Sequence, residues 1–199
     1  MFSAASTINR LTPMLTDVQR NQVPFATAKA LTSVAQLGAN AIRRDLPSIF
    51  DRPTPFTMRG PAFQPATKSS LTARVFIRAT QAEYLTLQET GGTRQPKKTA
   101  IVMPRAIRRN QYGNMAARAL QQLKASKRKD IFVGKAPSGQ GGFYLKLPDD
   151  KLRPLVTFIS QARYKPRFQF RARVAKVVKA SMGPAFAEEL ARAIATARR

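Results

Sequence analysis

Residues 24–44 read PFATAKALTSVAQLGANAIRR. Apolar side chains recur in this stretch at intervals of three and four residues, which predicts an amphipathic helix. The positions expected to be buried are Ala28, Leu31, Ala35, Gly38 and Ile42. Because most of these side chains are small, we expect whatever packs on this helix to approach it closely.

Three prolines follow this helical stretch, at Pro47, Pro53 and Pro55. Proline has no backbone N–H and disfavours a helical conformation in the residue before it. We therefore expect the helix to end near Pro47 and a proline-rich loop to cover residues 47–66.

Residues 71–79 read LTARVFIRA and alternate between two sets of side chains. This period of two predicts a β-strand, with Leu71, Ala73, Val75, Ile77 and Ala79 on one face. The other face would carry Arg74, Phe76 and Arg78. That pattern fits either a solvated face or a face presented to a polyanion.

The middle of the chain predicts several short elements. A helix over 81–89 would end at Gly91-Gly92, and another helix is expected over 115–125. Strands are predicted over 100–103, 131–133, 143–147 and 155–159.

Two helical patterns follow one another at the C-terminus, over 170–182 and 184–197. Gly183-Pro184 between them is expected to break or kink the run. Together the elements predict the α+β class, with N-terminal and C-terminal helices packed on a small, mainly antiparallel β-sheet. We expect an N-terminal arm over 1–20 and a single domain over 21–199.

The composition excludes several kinds of chemistry. The 199 residues include no His, Cys or Trp, so disulfides, the usual zinc sites and nucleophiles activated by imidazole are excluded. The carboxylate pairs Asp149-Asp150 and Glu188-Glu189 are adjacent in sequence, and adjacent side chains do not converge on one substrate atom. We therefore expect that the protein is not an enzyme and that it has no metal, cofactor or small-molecule substrate. We also expect no membrane span, because the sequence has no apolar run of about 18 residues.

The net charge says more about the function than the absence of particular residues does. The chain has 35 Lys and Arg against 10 Asp and Glu, a formal net charge of +25. So much like charge calls for a negatively charged partner, such as nucleic acid, an acidic membrane surface or an acidic protein.

Two basic clusters are candidate contacts for a polyanion or an acidic partner. The first cluster consists of Lys127, Arg128 and Lys129. The second consists of Arg163, Lys165, Arg167, Arg171 and Arg173. In the second cluster Phe168 and Phe170 alternate with the cations, a mixture that can hold phosphates while stacking on bases. The same alternation also fits phenylalanines in the core with solvated cations between them.

Three segments carry a resemblance to a known family. The first is Val23-Pro24-Phe25-Ala26-Thr27-Ala28-Lys29-Ala30-Leu31, and the last runs from Pro184 through Glu188-Glu189-Leu190 to Arg199. Between them lie Tyr84-Leu85, Glu89-Thr90-Gly91-Gly92-Thr93-Arg94 and Ile101-Val102-Met103-Pro104. In these segments the chain resembles the prophage minor tail protein Z family, the tail-completion or neck proteins of long-tailed phages.

The resemblance implies a structural virion protein at the head–tail junction or the head-proximal end of the tail. Such a protein would form a homo-oligomeric ring and contact neighbouring neck and tail proteins, and its position would also allow contact with DNA in the virion channel. We expect subunit contacts from the N-terminal helix and the following loop, at Leu31, Ala35, Phe50 and Phe56. The C-terminal basic segment would face acidic neighbours or DNA.

Two other classes remain open. A basic nucleic-acid-binding protein of a ribonucleoprotein, similar to a ribosomal protein, would have the same excess of Lys and Arg. A nuclease using magnesium would need several carboxylates to converge, from the set Asp45, Asp51, Glu83, Glu89 and Asp130.

Overall fold

The computed structural model describes residues 18–197. The predicted arm over 1–20 therefore lies outside the described residues, except for its last three. The chain divides into two units. The helical unit comprises the described parts of Met1–Ile49, Pro55–Glu83 and Gln169–Arg199, and the sheet unit comprises Phe50–Thr54 and Tyr84–Phe168. The single domain predicted over 21–199 stays a prediction.

Two long helices form the helical unit. A π-helical turn, Val18–Gln22, leads into α1, Val23–Ile49, and the chain ends in α5, Phe170–Ala197. Lys29 near the start of α1 pairs with Glu189 near the end of α5 (3.7 Å), and Asp45 pairs with Arg173 at the opposite ends (3.2 Å). The two helices therefore run antiparallel.

The buried face of α1 consists mostly of alanine. Its buried residues are Ala26, Ala28, Ala30, Val34, Ala35, Gly38, Ala39, Ile42 and Leu46. A Cβ at Gly38 would lie 3.3 Å from Val75 and 3.8 Å from Val174. The close approach predicted from the small side chains of this helix is confirmed.

The first helix ends near Pro47 as expected, at Ile49, but Pro47 lies inside its last turn rather than beyond it. Proline at this point removes one hydrogen bond from the last turn. Ile42 and Leu46 are fully buried on the preceding turns, and this burial holds the end of the helix in place.

The predicted proline-rich loop over 47–66 is likewise only partly a loop. Pro55 begins a short helix, α2, Pro55–Met58, and a strand, β1, Pro61–Gln64, follows it. A first helical position tolerates proline because its N–H would have no partner within the helix.

Gly183-Pro184 does not break the C-terminal helix, since α5 is one helix from Phe170 to Ala197. The alternative expectation of a kink at this point stays a prediction. Gly183 has no Cβ, which removes part of the clash that keeps residues before proline out of the helical region. Pro184 and Ala180 are exposed, so water can reach the carbonyl that lacks its helical donor.

A two-stranded antiparallel sheet completes the helical unit. β2, Arg74–Ile77, pairs with β1 so that Phe76 lies opposite Ala62 and Arg74 opposite Gln64. Arg43 of α1 donates from Nη2 to the Pro61 carbonyl (3.1 Å), which ties this sheet to the helix. The predicted alternation is confirmed, with Val75 and Ile77 less exposed than Arg74 and Phe76, although the strand is shorter than 71–79.

The sheet unit contains two further antiparallel sheets. The larger has the strand order β4-β7-β6-β5 and the smaller pairs β3 with β8. The strands are β3, Gly92–Arg94; β4, Ile101–Pro104; β5, Ile131–Lys135; β6, Gly141–Lys146; β7, Leu152–Ile159; and β8, Ala162–Tyr164. Two helices accompany them: α4, Ala119–Ala125, and α3, Ala79–Thr90, whose residues 79–83 belong to the helical unit.

The core of the sheet unit lies on β6 and β7. Phe143, Tyr144 and Val156 are almost completely buried. The Phe143 ring meets Phe158 edge-on at 5.9 Å, and the Tyr144 hydroxyl donates to the Gln140 carbonyl at 2.6 Å.

The α+β class with antiparallel strands is confirmed, although the strands divide among three sheets. The predicted helix over 81–89 and the predicted strands are present at shifted ends. The helix predicted over 115–125 is shorter, beginning at Ala119. Strands β1, β3 and β8 are additional, and each has only three or four residues, too few to show a period.

Candidate functional site

A basic turn connects α4 to β5 in the sheet unit. The backbone N–H of Ser126 donates to the Leu123 carbonyl and caps the helix, and Lys146 N–H donates to the Asp130 carbonyl at 2.8 Å as β5 begins. This tight connection leaves Lys127 and Lys129 exposed on either side of Arg128. The structure therefore presents part of the first predicted cluster to solvent.

Arg128 differs from its two neighbours because it is paired. Its Nε donates to Asp130 Oδ1 at 3.0 Å and its Nη2 reaches Oδ2 at 2.5 Å. These hydrogen bonds lower the pKa of the Asp130 carboxyl and raise the pKa of Arg128. The guanidinium is therefore already partly neutralised, and the exposed lysines are the more available cations of this turn.

An open cavity of about 610 Å³ lies beside the basic turn. Ile107, Ala119, Leu123 and Ile131 supply its apolar lining, and polar side chains including Arg108, Arg109 and Gln122 complete it. Such a lining suits an amphipathic ligand or peptide with negative charge.

The second predicted cluster begins on β8. Arg163 and Lys165 are exposed, whereas Tyr164 between them and Ala162 before them are half-buried. β8 pairs with β3, which places Arg163 opposite Thr93. These two cations project from the sheet unit.

Arg167 is held by its own chain. Its Nε donates to Gln88 Oε1 at 2.8 Å, and its guanidinium lies 4.9 Å from the centre of the Phe50 ring. The backbone N–H groups of Arg167 and Phe168 both donate to the Gln88 carbonyl. Arg167 thus acts chiefly as a structural clamp for this segment, a role that sequence spacing could not show.

The interpretation of Phe168 as a core residue is confirmed. Phe168 is 1% exposed and its ring lies 5.6 Å from Phe50. Phe50 is itself buried, and its ring faces its own chain. Its expected role as a subunit contact stays a prediction.

The last two predicted cations lie on α5 in the helical unit. Arg171 is exposed, but Arg173 donates to Asp45 Oδ2 at 3.2 Å and fixes the pairing of α5 with α1. The predicted polyanion contacts are therefore divided, six in the sheet unit and two in the helical unit.

The other expected subunit contacts differ in exposure. Ala35 is 4% exposed because it belongs to the packed face of α1, and Leu31 is half-buried. Phe56 on α2 is 54% exposed. Of the four residues predicted as subunit contacts, Phe56 has the side chain most available to a neighbour.

Sequence reasoning missed a second cavity, of about 460 Å³, in the helical unit. Lys29 and Lys68 each place an ammonium group about 5 Å from the centre of the Phe25 ring, at 5.2 and 5.0 Å. Thr32 accepts a hydrogen bond from the Ala66 N–H (3.0 Å), which holds the loop of Lys68 against α1. The spacing of four between Phe25 and Lys29 was the available signal for half of this arrangement.

Three of the five carboxylates considered for a magnesium nuclease form ion pairs. Asp45 pairs with Arg173, Asp51 with Arg52 and Asp130 with Arg128. Over residues 18–197, no group of three or more acidic side chains could hold a metal ion. Among the helices of the same residues, none combines the length and the apolar character that a membrane crossing requires.

No family, curated protein or solved structure matches this chain.

Proposed function

We propose that this protein is a structural component of a tailed-phage virion, a tail-completion or neck protein that assembles into a ring at the head–tail junction or at the head-proximal end of the tail. The resemblance of its first helix, its middle segment and its last helix to the minor tail protein Z family supports this proposal. The structural observation that supports assembly into a ring is the exposed outer strand of the larger sheet.

That strand, β5, pairs with β6 and has no second partner among the described residues. Val133 is 64% exposed and Phe132 is 37% exposed, and Lys135 is its single charged residue. Monomeric proteins usually protect an edge strand with charge, proline or a covering element. An unprotected apolar edge supports a role as a subunit interface.

The opposite edge of the same sheet also has one side unpaired among the described residues. β4 pairs with β7 alone among residues 18–197, and Met103 on it is 37% exposed. A contact between β5 of one copy and β4 of the next is head-to-tail, and head-to-tail contacts generate rings when the rotation closes.

The test is the mass of the purified protein, measured by light scattering at several concentrations in 0.1 M and 0.5 M NaCl. We expect oligomers that are stabilised by salt, because each copy carries +25 and salt screens the repulsion between copies. Val133→Lys should shift the protein to monomer by adding charge to the edge.

Val178→Lys is the matched control, since Val178 is 38% exposed on α5. It should leave the oligomer intact. A wild-type protein that is monomeric at every concentration and salt, or equal loss of assembly in both variants, would count against ring formation through β5.

The second candidate is a nucleic-acid-binding protein of a ribonucleoprotein. The exposure of Lys127, Lys129, Arg163 and Lys165 within one unit favours it. Nucleic acid that copurifies at low salt and is released at high salt would support this candidate, because phosphate contacts weaken as salt rises. The two candidates thus predict opposite responses to salt.

A further inference from the structure

We propose that the outer face of β2 binds single-stranded nucleic acid, with Arg74 and Arg78 holding backbone phosphates and Phe76 stacking on a base. These three residues are called the β2 platform below. The inference is independent of the virion proposal and concerns residues outside both predicted basic clusters.

The strand geometry places Arg74 and Phe76 on one face of β2, and Arg78 follows the strand directly. The Arg78 N–H donates to the Gly60 carbonyl at 2.9 Å, which continues the pairing with the β1 side by one residue before α3 begins. Alternate residues of a β-strand point to the same side and are about 7 Å apart. Val75 lies between them on the opposite side, where its Cγ2 would meet a Cβ at Gly38 of α1 at 3.3 Å. Because that side of β2 packs on α1, the platform points away from the helices.

The aromatic ring of the platform is accessible. Phe76 is 42% exposed, and its cross-strand neighbour is Ala62, whose single methyl group leaves the flank of the ring open. Gln64 lies opposite Arg74 and offers an amide beside the guanidinium. An exposed ring between two cations is the arrangement that proteins use to stack bases while they hold phosphates.

The two guanidinium groups are uncommitted within the described residues. Neither Arg74 nor Arg78 forms an ion pair there, whereas the acidic residues of α1 and α5 pair with cations on those same helices: Asp45 with Arg173, Glu188 with Arg192 and Glu189 with Lys29. The two unpaired guanidinium groups give the platform a positive charge, which complements a phosphate backbone.

Single strands fit this surface better than duplex. A base can stack on a phenylalanine only when one of its faces is free, and in a duplex both faces are covered by neighbouring base pairs. Stacking does not read the identity of the base, so we expect little sequence preference.

The experiment measures binding of the full chain to a fluorescently labelled oligo-dT and to a duplex of equal length, from 0.05 to 0.5 M NaCl. Arg74→Gln combined with Arg78→Gln should weaken oligo-dT binding about tenfold at low salt. It should also reduce the slope of log affinity against log salt by about 1.4, the value for two phosphate contacts to a single strand.

Phe76→Ala should behave differently, with about tenfold weaker binding and an unchanged salt slope, because stacking releases no counterions. Phe76→Tyr should bind like the wild type since it keeps the ring. Phe76→Leu keeps the apolar bulk without the ring and should reproduce the loss, which separates stacking from any effect of Phe76→Ala on folding.

Two matched controls test whether the effect belongs to this face. Lys176→Gln with Lys179→Gln removes two exposed charges from α5, and Phe56→Ala removes a ring that is 54% exposed. Both should retain most of the affinity. The proposal is overturned if these controls lose as much as the platform variants, if the duplex binds as tightly as oligo-dT, or if Phe76→Ala and Phe76→Leu bind normally.

Discussion

Gly142 is the residue at which the larger sheet has no space for a side chain. A Cβ there would collide with the Val156 carbonyl oxygen and would lie 3.2 Å from the Cα of Thr157, both on the neighbouring strand β7. These atoms belong to backbone, which cannot rotate away. Gly141, the preceding residue, would place a Cβ at an ordinary 3.6 Å from the Phe158 ring.

Gly142→Ala should therefore destabilise the protein by about 1–3 kcal/mol, because the backbone of β6 and β7 must separate to admit the methyl group. Gly141→Ala is the control and should change stability by less than about 0.5 kcal/mol. Urea denaturation followed by circular dichroism measures both. Equal effects of the two substitutions would show that the sheet can absorb a methyl group at Gly142.

The residue scale also separates free cations from engaged ones. Lys127, Lys129, Arg163 and Lys165 are exposed, whereas Arg167 is clamped by Gln88, a residue 79 positions away. The sequence predicted the same role for all of these residues, as contacts for a polyanion or an acidic partner. It could not separate them, because the partner of a cation can be distant in sequence and is brought near only by the fold.

At the scale of elements, the two long helices tolerate proline in different ways. Pro47 lies in the last turn of α1 and removes a hydrogen bond where few remain. Pro184 lies near the middle of α5, on its exposed side. The helical period on both sides of Pro184 was visible in the sequence. The exposed position of Pro184, where water can reach the Ala180 carbonyl that lacks its helical donor, was not.

Pro184→Ala should raise stability by about 1–3 kcal/mol, since proline in a helix interior costs about 3 kcal/mol relative to alanine. The gain should appear as a higher urea midpoint and greater helical ellipticity. Ala187→Gly, at an exposed position three residues later, is the control and should lower stability by up to about 1 kcal/mol. A loss of stability in Pro184→Ala would mean that the packing of α5 requires the geometry that proline imposes.

At the scale of the whole molecule, the net positive charge is the main electrostatic influence on the stability of the folded state. A net charge of +25 on 199 residues repels itself in a folded chain. The exposed ion pairs, such as Arg52–Asp51 and Lys151–Asp149, contribute little to offset this repulsion. The folded state is therefore expected to gain stability when salt shortens the range of the repulsion.

Raising NaCl from 0.02 to 0.3 M should increase the melting temperature, by about 2–4 °C for each 1 kcal/mol recovered. The control replaces Lys127 and Lys129, which are both exposed, with Gln. This lowers the net charge without changing a core residue, and the salt-dependent increase of this variant should be smaller. Thermal unfolding followed by circular dichroism gives both values. A melting temperature that falls with salt would show that the ion pairs outweigh the repulsion.

The sequence by itself determined the properties that depend on neighbouring residues. The period of α1 and α5, the alternation of Arg74, Phe76 and Arg78 and the net charge could all be read from it, because helices and strands repeat their contacts over a few residues. The tertiary structure decided which of these features remain accessible. Phe50 is buried against Phe168, and Asp45 engages Arg173, 128 residues away. Contacts between residues so distant in sequence form only when the chain folds, and no local pattern encodes them.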